Sequence, residues 1–243
     1  MRQIWFLVKF FKEEKHANDF LAGKLFLNRL SYFRKQEDEC SDGRSDTTEA
    51  IKMWLQPFDV QMSLSVPGIG TAKITPKDWA APVSFVNANA DYLHVFCMYA
   101  IYTSEPLSNS TTIEDKQRLA QELKRKLSID DRCMKFGRFA VIVPAHQFLN
   151  QMQEQLRIQK YIFQAKLVDY YDEKSFNGEF SNSDVPFKKQ VRFAYQREYR
   201  IAVAPSSLAS TPITIDIGPI DNLLAKKVES AGLNTILQSA VIQ

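Results

Sequence analysis

The segment YLHVFCMYAIYT, residues 92–103, is the most continuously apolar part of the chain. A strand that is apolar on both faces has to be covered from both sides, so this pattern predicts a strand in the middle of a sheet. Such a strand needs partner strands along its edges and further elements above and below it. The chain has 243 residues, of which 45% are hydrophobic, and this is enough to build one core of that kind.

The remaining patterns predict an α+β fold. The chain opens with a strand over 4–11, a short helix that stops at Gly23, and a second strand and turn over 24–33. Further strands are predicted before Pro144 and over 166–173, 188–203 and 211–220, and helices over 111–127, 145–156 and 221–237. Strands and helices do not alternate strictly. This favours one α+β domain over residues 1–243, with an inserted region around 51–90, whose sheet is mixed, largely antiparallel and flanked by helices.

The bulk properties constrain function only weakly. The net charge of +3 permits a polyanionic partner without arguing for one. The cysteines at positions 40, 97 and 133 have no paired spacing, so neither disulfides nor a zinc site is predicted, and a cytoplasmic location is expected. No apolar run approaches the ~20 residues that span a bilayer, so no membrane partner is expected. The three histidines are widely separated, and no metal is predicted.

The segment YQREYRIAV, residues 195–203, carries polar residues that are unusual for a buried strand. Strand alternation places Gln196, Glu198 and Arg200 on one face. Residues two apart in a strand are about 6 to 7 Å apart, so this amide and carboxylate would face one space and could grip a diol. The alternative is an ordinary solvent-facing strand, whose exposed face also carries alternating polar residues.

Three features, in this order along the chain, resemble the ADP-ribosyltransferase superfamily: the run LVKFF with Lys9, the stretch FLAGKLFLN with Gly23, and the late pair Gln196 and Glu198. The resemblance implies a split sheet of the ADP-ribosyltransferase type and NAD as co-substrate, without a metal. It implies that Glu198 is the catalytic carboxylate and that Gln196 holds the ribose or the nucleophile. A fixed carboxylate in a partly dry site would stabilise the positive charge that develops on the ribose as nicotinamide leaves.

Binding NAD would require further contacts. Lys9, inside an apolar strand, and Arg44, beside a candidate helix start, are candidates for the pyrophosphate. Tyr32 and Phe33 are candidates for stacking on nicotinamide, and Arg200 is a further candidate for binding NAD. The alternatives are a structural lysine, a solvated loop arginine and two core aromatic residues.

A second resemblance covers more of the chain. The block from Phe20 to Phe33, the Arg-x-Asp-x-x-Glu pattern that begins at Arg44, and the late Glu-Tyr-Arg that begins at Glu198 resemble bacterial domains of uncharacterised function found among phage-defence genes. If those domains are divergent ADP-ribosyltransferases, the resemblance implies a toxin of a toxin–antitoxin system. Its acceptor would be nucleic acid, with RNA favoured over DNA or protein, and an antitoxin protein is a further candidate partner.

The alternative belongs to another functional class. The chain could be a non-catalytic domain that binds nucleic acid or another protein. Basic residues interleaved with aromatic ones suit base stacking and phosphate contact. The residues of this predicted basic face are Lys188, Lys189, Arg192, Arg197 and Arg200, beside Phe193, Tyr195 and Tyr199.

Overall fold

The computed structural model describes residues 2–35, 46–106, 112–204, 211–220 and 225–239, which form an α+β architecture. The strands are β1 (Gln3–Phe11), β2 (Lys24–Arg29), β3 (Ile51–Leu55), β4 (Met62–Val66), β5 (Gly70–Ile74), β6 (Val83–Val86), β7 (His94–Thr103), β8 (Phe139–Pro144), β9 (Ile162–Leu167), β10 (Asp169–Tyr171), β11 (Gly178–Glu179), β12 (Lys188–Gln190), β13 (Glu198–Ala204), β14 (Ile213–Asp216) and β15 (Lys226–Glu229). The helices are α1 (Glu14–Leu21), α2 (Leu30–Lys35), α3 (Ile113–Lys126), α4 (Asp131–Met134), α5 (Ala145–Ile158) and α6 (Leu233–Ser239).

Eight of these strands form one sheet with antiparallel pairing throughout. Six of them follow the order β14-β2-β7-β1-β8-β15, and β13 lies between β7 and β9. One edge of β7 pairs with β13, while the other edge is shared by β1, at residues 99–103, and β2, at residues 94 and 95. Because β1 and β2 pair with different parts of the same edge, the sheet divides at β7. Both edges of β7 are paired, so the prediction that residues 92–103 supply a strand in the middle of the sheet is confirmed.

The two faces of this sheet are covered by different cores. Helices α1 and α5 cover the first face, where Phe148, Met152 and Leu156 of α5 pack against the strands. The opposite face carries two cores. One of them includes Val8 and Ile101 and is closed by side chains of α3, α4 and α6. The other includes Leu30 and Ala202 together with aromatic residues from positions 171–187.

Several local predictions are confirmed. Strand β1 occupies the predicted position, and α1 ends two residues before Gly23. Helix α3 lies within the range predicted for it, and Thr112 caps it by accepting a hydrogen bond from the backbone N–H of Asp115. The mixed, largely antiparallel α+β class is also confirmed, since among the described residues the parallel pairing is that of β10 with β12.

The strand predicted over 188–203 is interrupted, and that prediction was wrong. Strand β12 ends at Gln190, a 3-10 helix covers Val191–Gln196, and β13 begins at Glu198. Arg197 has a φ of 41°, in the left-handed region, and turns the chain into β13. An alternating pattern of apolar and polar side chains does not reveal such a turn.

Three other segments differ from the prediction in part. The second strand stops at Arg29, because Leu30 begins helix α2 and buries its side chain. The strand predicted over 166–173 is divided between β9 and β10 at Val168. The helix predicted over 221–237 begins only at Leu233, because the preceding Lys226–Glu229 pairs with β8 as an edge strand; residues 221–224 lie outside the described residues.

Residues 51–86 contribute to two small sheets. Strand β3 pairs with β6 and β11, whereas β4 and β5 form a two-stranded hairpin. The 3-10 turns Pro57–Asp59 and Pro76–Asp78 contact each other at the base of this hairpin. That the segment is an insertion into a single domain stays a prediction. Among the described residues, no helix is both long enough and apolar enough to cross a membrane.

Gly23 joins the first helix to the second strand at a crowded position. Its φ is +90°, and a Cβ atom there would lie 2.0 Å from the carbonyl oxygen of Gly218. The backbone carbonyl of Gly23 accepts a hydrogen bond from the N–H of Ile217 at 2.9 Å. Only glycine allows both this backbone conformation and this close approach.

We expect Gly23→Ala to destabilise the fold by more than Gly68→Ala. Gly68 also has a positive φ, +78°, but a Cβ atom there would meet nothing within 4 Å. The control therefore measures backbone strain alone, about 1 to 2 kcal/mol, and the difference between the variants measures the clash with Gly218. Urea unfolding checks this, and equal losses of unfolding free energy in the two variants would contradict the packing described.

Candidate functional site

A group of charged side chains is buried beneath β13. Glu49, Lys189, Glu198 and Arg200, called here the ion cluster, are each between 0% and 5% exposed. Glu198 and Arg200 lie two residues apart on one face of β13, next to Tyr99 and Cys97 of the paired strand β7. Glu49 comes from the turn before β3, and Lys189 comes from β12. Three separate segments of the chain therefore meet at this position.

Arg200 is the centre of the ion cluster. Its Nη1 and Nη2 atoms donate to the two carboxylate oxygens of Glu49 at 2.9 and 2.8 Å. Its Nε donates to Oε1 of Glu198 at 2.7 Å, and Nη1 also donates to the backbone oxygen of Pro186 at 2.6 Å. The guanidinium group stays charged at every accessible pH, so these partners offset the cost of burying its charge.

Lys189 completes the arrangement. Its Nζ lies 3.0 Å from Oε2 of Glu198 and 3.3 Å from Oε1 of Glu49, and it donates to Oε1 of Gln196 at 2.9 Å. All four carboxylate oxygens of Glu49 and Glu198 thus face Arg200 or Lys189. The ion cluster contains two positive and two negative side chains, so its formal charge is balanced.

Backbone contacts fix the segments that carry these side chains. The N–H of Glu198 donates to the hydroxyl oxygen of Tyr170 at 2.9 Å, and β10, which contains Tyr170, pairs with β12, which contains Lys189. In the turn that carries Glu49, Oδ1 of Asp46 accepts a hydrogen bond from the N–H of Thr48 at 2.8 Å. Hydrogen bonds therefore fix both the start of β13, which carries Glu198, and the turn that carries Glu49.

The electrostatics of the ion cluster favour the charged forms. Burial by itself raises the pKa of Glu198, but the charges of Arg200 and Lys189 outweigh burial and hold this pKa well below its usual range. Burial lowers the pKa of Lys189, yet the carboxylates of Glu198 and Glu49 raise it above its ordinary value. A glutamate and a lysine with these pKa directions remain ionised at neutral pH and do not exchange protons readily.

The pKa values of two acidic neighbours of the ion cluster are raised, which favours their neutral forms. Burial and the negative charge of Glu49 raise the pKa of Asp46, whose Oδ2 is buried without a hydrogen-bond partner. Burial and the charge of Glu198 raise the pKa of the Cys97 thiol to about 12. Cys97 is therefore a neutral thiol at neutral pH and not an activated nucleophile.

The structure brings together Gln196, Glu198 and Arg200, which the sequence predicts to share a face. The predicted reason is wrong for Gln196, which ends a 3-10 helix and does not lie in β13. It reaches the ion cluster because the turn at Arg197 leaves its amide beside Lys189. Arg200, a predicted NAD contact, instead has its guanidinium engaged by Glu49, Glu198 and Pro186.

The structure places the other predicted NAD contacts on two elements: Lys9 on β1, and Tyr32 and Phe33 on α2. Lys9 is on the opposite face of the sheet from Glu198, where its Nζ lies 4.3 Å from the centroid of the Phe96 ring and donates to the backbone oxygen of Cys97 at 2.7 Å. Tyr32 and Phe33 lie in α2 and contact each other edge to face, and Tyr32 is 41% exposed. Arg44 lies outside the described residues.

The predicted basic face is not formed, and that prediction was wrong. Lys189 and Arg200 are buried in the ion cluster, and Lys188 pairs with Asp169. Arg192 is exposed, but it is on the 3-10 helix and not on β13. The basic side chains are therefore divided between the interior and the surface.

The ion cluster is best suited to holding structure together. An NAD ribose would have to displace Arg200 or Lys189 to reach a carboxylate oxygen of Glu198. Two surface depressions, of about 470 and 300 Å³, lie elsewhere, and neither is lined by a residue of the ion cluster. Among the described residues, no group of three or more His, Cys, Asp or Glu side chains is arranged to hold a metal ion.

No protein-family model matches this chain, and no match was found among curated proteins or solved structures.

The sequence analysis did not identify Lys189 and Tyr170 as partners of Glu198. Glu49 ends the Arg-x-Asp-x-x-Glu pattern of the second resemblance, but the pattern does not show that it meets Arg200. One physical signal was present in the sequence: an arginine in an otherwise apolar strand needs a buried carboxylate. The sequence does not indicate which of its acidic residues supplies it.

We expect Lys189→Met to lower the free energy of unfolding by about 3 to 5 kcal/mol, because it leaves two buried carboxylates with one cation. The adjacent Lys188→Met is a matched control, since Lys188 pairs with an Asp169 side chain that is 72% exposed. We expect the control to change stability by less than about 1 kcal/mol. Urea unfolding measures both, and equal effects would show that the ion cluster does not stabilise the fold.

Proposed function

We propose that the chain is a non-catalytic protein-binding domain and that the β4–β5 hairpin is its binding element. The observation that carries this proposal is the apolar face of the hairpin. Register pairs Met62 with Ile74 and Leu64 with Ala72, so these side chains share one face, together with Val66. Met62, Leu64 and Val66 are 41%, 54% and 38% exposed.

The opposite face of the hairpin is polar. Ser63 is paired with Lys73, and Ser65 is paired with Thr71, whose hydroxyl lies 2.8 Å from that of Ser65. A hairpin whose polar and apolar faces are both solvent-exposed leaves its apolar side available for a partner. Ile69, at the tip and 85% exposed, extends this apolar surface beyond the strands.

The strand edges favour an extended protein segment as the partner. The sheet contains only β4 and β5 within the described residues, so each strand has one edge without a neighbouring strand. An extended segment can pair with such an edge through its backbone while its apolar side chains contact the exposed face. A lipid surface fits less well, because Lys73 is the one cation of residues 62–74 and faces the polar side.

Two double variants test this proposal. Leu64→Lys with Ile69→Lys places charges on the apolar face and tip, whereas Ser63→Lys with Ser65→Lys adds the same charge to the polar face. We expect a protein that co-purifies with the unaltered chain to be lost from the first variant and kept by the second, with at least a tenfold difference in affinity once it is purified. Equal retention by both variants would rule out the apolar face as the binding surface.

A second candidate is the NAD-dependent ADP-ribosyltransferase toxin suggested by the resemblance, with RNA as the favoured acceptor. The observation that supports it is the meeting of Gln196 and Glu198 with two cations beside the strand at which the sheet divides. In this candidate, Glu198 is the catalytic carboxylate, and Arg200 and Lys189 have to turn away before NAD enters. The split sheet of the ADP-ribosyltransferase type belongs to the same candidate.

Labelled NAD separates the two candidates. If the transferase candidate is correct, the chain releases nicotinamide and labels RNA, DNA or protein, and Glu198→Gln abolishes both signals. Glu114→Gln, at an exposed position in the first turn of α3, is the matched control and keeps them. Circular dichroism of both variants shows whether they remain folded. The transferase candidate is excluded by the absence of nicotinamide release with all three acceptors, or by full labelling with Glu198→Gln.

A further inference from the structure

Two arginine side chains contact the same tyrosine ring near the end of β7. Cζ of Arg197 lies 4.3 Å from the centroid of the Tyr102 ring, and Cζ of Arg2 lies 5.2 Å from it. Arg197 also donates from Nη2 to the backbone oxygen of Tyr102 at 3.1 Å. In the part of the chain that the structure describes, neither arginine has a carboxylate oxygen within 4.0 Å. The fold therefore brings two positive charges together without a counter-charge, which favours an anion as ligand.

Two further arginines are placed next to Tyr195. Arg132 of α4 lies over the Tyr195 ring, with its Cζ 3.7 Å from the ring centroid, and Asp130 accepts from its Nε and Nη2 at 2.9 and 2.8 Å. Arg192 precedes Tyr195 by three residues, and side chains at this spacing in a 3-10 helix point the same way. Tyr195 is only two residues from Arg197, so the two groups adjoin. The arginine surface, as it is called here, consists of Arg2, Arg132, Arg192 and Arg197 with Tyr102 and Tyr195.

The arginine surface is accessible to a ligand. Three of its arginines are exposed, and Arg197 and both tyrosines are half-buried. A guanidinium group has five N–H donors, so one bond to the backbone leaves Arg197 able to donate to a ligand as well. Arg132 is neutralised by Asp130, which leaves the charges of Arg2, Arg192 and Arg197 for a polyanion.

The position of Arg197 depends on an unusual backbone conformation. Its φ of 41° lies in the left-handed region, which is strained for a residue other than glycine. The N–H of Ala100 donates to the carbonyl oxygen of Arg197 at 2.9 Å and fixes this backbone beside β7. Strained residues cluster at functional sites. Here the strained backbone places a guanidinium group beside Tyr102, just before β13 begins.

We propose that the arginine surface binds single-stranded nucleic acid. Guanidinium groups bind phosphate through paired N–H donors, and unstacked bases pack against tyrosine rings and guanidinium planes. Single strands are bound by surfaces that combine cations along the backbone with such planar groups. A double helix fits less well, because its bases are already stacked on one another.

This proposal is independent of the others. The arginine surface shares no residue with the β4–β5 hairpin or with the ion cluster, so it does not depend on the proposed protein partner. Of the basic residues that the sequence predicts to form one face, Arg192 and Arg197 belong to it. Their neighbours in the structure come from β1, β7 and α4, which the alternating pattern does not indicate.

Fluorescence polarisation measures binding of the full chain to a labelled single strand of about 12 uridine nucleotides. We expect saturable binding that weakens steeply with salt. Arg2→Ala with Arg192→Ala, at two exposed positions, weakens binding by at least about tenfold. Arg197→Gly weakens it about fivefold, because glycine adopts this backbone readily and the guanidinium is lost.

The matched control is Lys124→Ala with Arg125→Ala, at exposed positions of α3. It removes the same charge as the first double variant and leaves the affinity unchanged. Thermal unfolding of each variant confirms that a lost affinity does not reflect a lost fold.

Four results would overturn the proposal. They are the absence of saturable binding, unchanged affinity in Arg197→Gly, an equal loss in the two double variants, and a duplex of the same length that binds as tightly as the single strand. The third would indicate attraction by overall charge. The fourth would indicate contacts with phosphate groups alone.

Discussion

The pairing of Arg200 with Glu49 is the interaction on which the arrangement around β13 depends. Arg200 is 1% exposed and cannot lose its proton, so the chain has to place a carboxylate against it. Glu49 meets this requirement from 151 residues away and binds with both oxygens. The turn that carries Glu49 therefore closes over β13, and β12 must supply Lys189 to balance the second carboxylate, that of Glu198. Local geometry in three segments follows from one buried charge.

The sequence predicts the elements whose pattern is local. The apolar run of β7, the strand β1 and the buried stripe of α5 could all be predicted because side-chain periodicity alone determines which face they bury. The region 188–203 could not, because its turn depends on the left-handed backbone of Arg197, a conformation that sequence patterns do not reveal. The same limit applies to β15, which has polar side chains and becomes a strand only because β8 offers it an edge.

The candidate site shows this limit more clearly. Alternation correctly placed Glu198 and Arg200 on one face, but it did not show whether that face looks into solvent, into a ligand cavity or into the interior. Burial decides the chemistry, because the same carboxylate is reactive in an open site and neutralised beside two cations. Lys9 illustrates the same point: its place in the first strand was correct, yet the sheet separates it from Glu198. Exposed apolar side chains lie instead on the β4–β5 hairpin, at the surface.

A double-mutant cycle with Glu49→Gln and Arg200→Met tests most directly whether the ion cluster organises this part of the fold. Urea unfolding of the unaltered chain, both single variants and the double variant gives the coupling energy between the two side chains. The structure predicts a favourable coupling on the order of 2 kcal/mol, because each single variant leaves a buried charge that the double variant partly removes. Additive effects, within about 0.5 kcal/mol, would contradict the central place given to this pair.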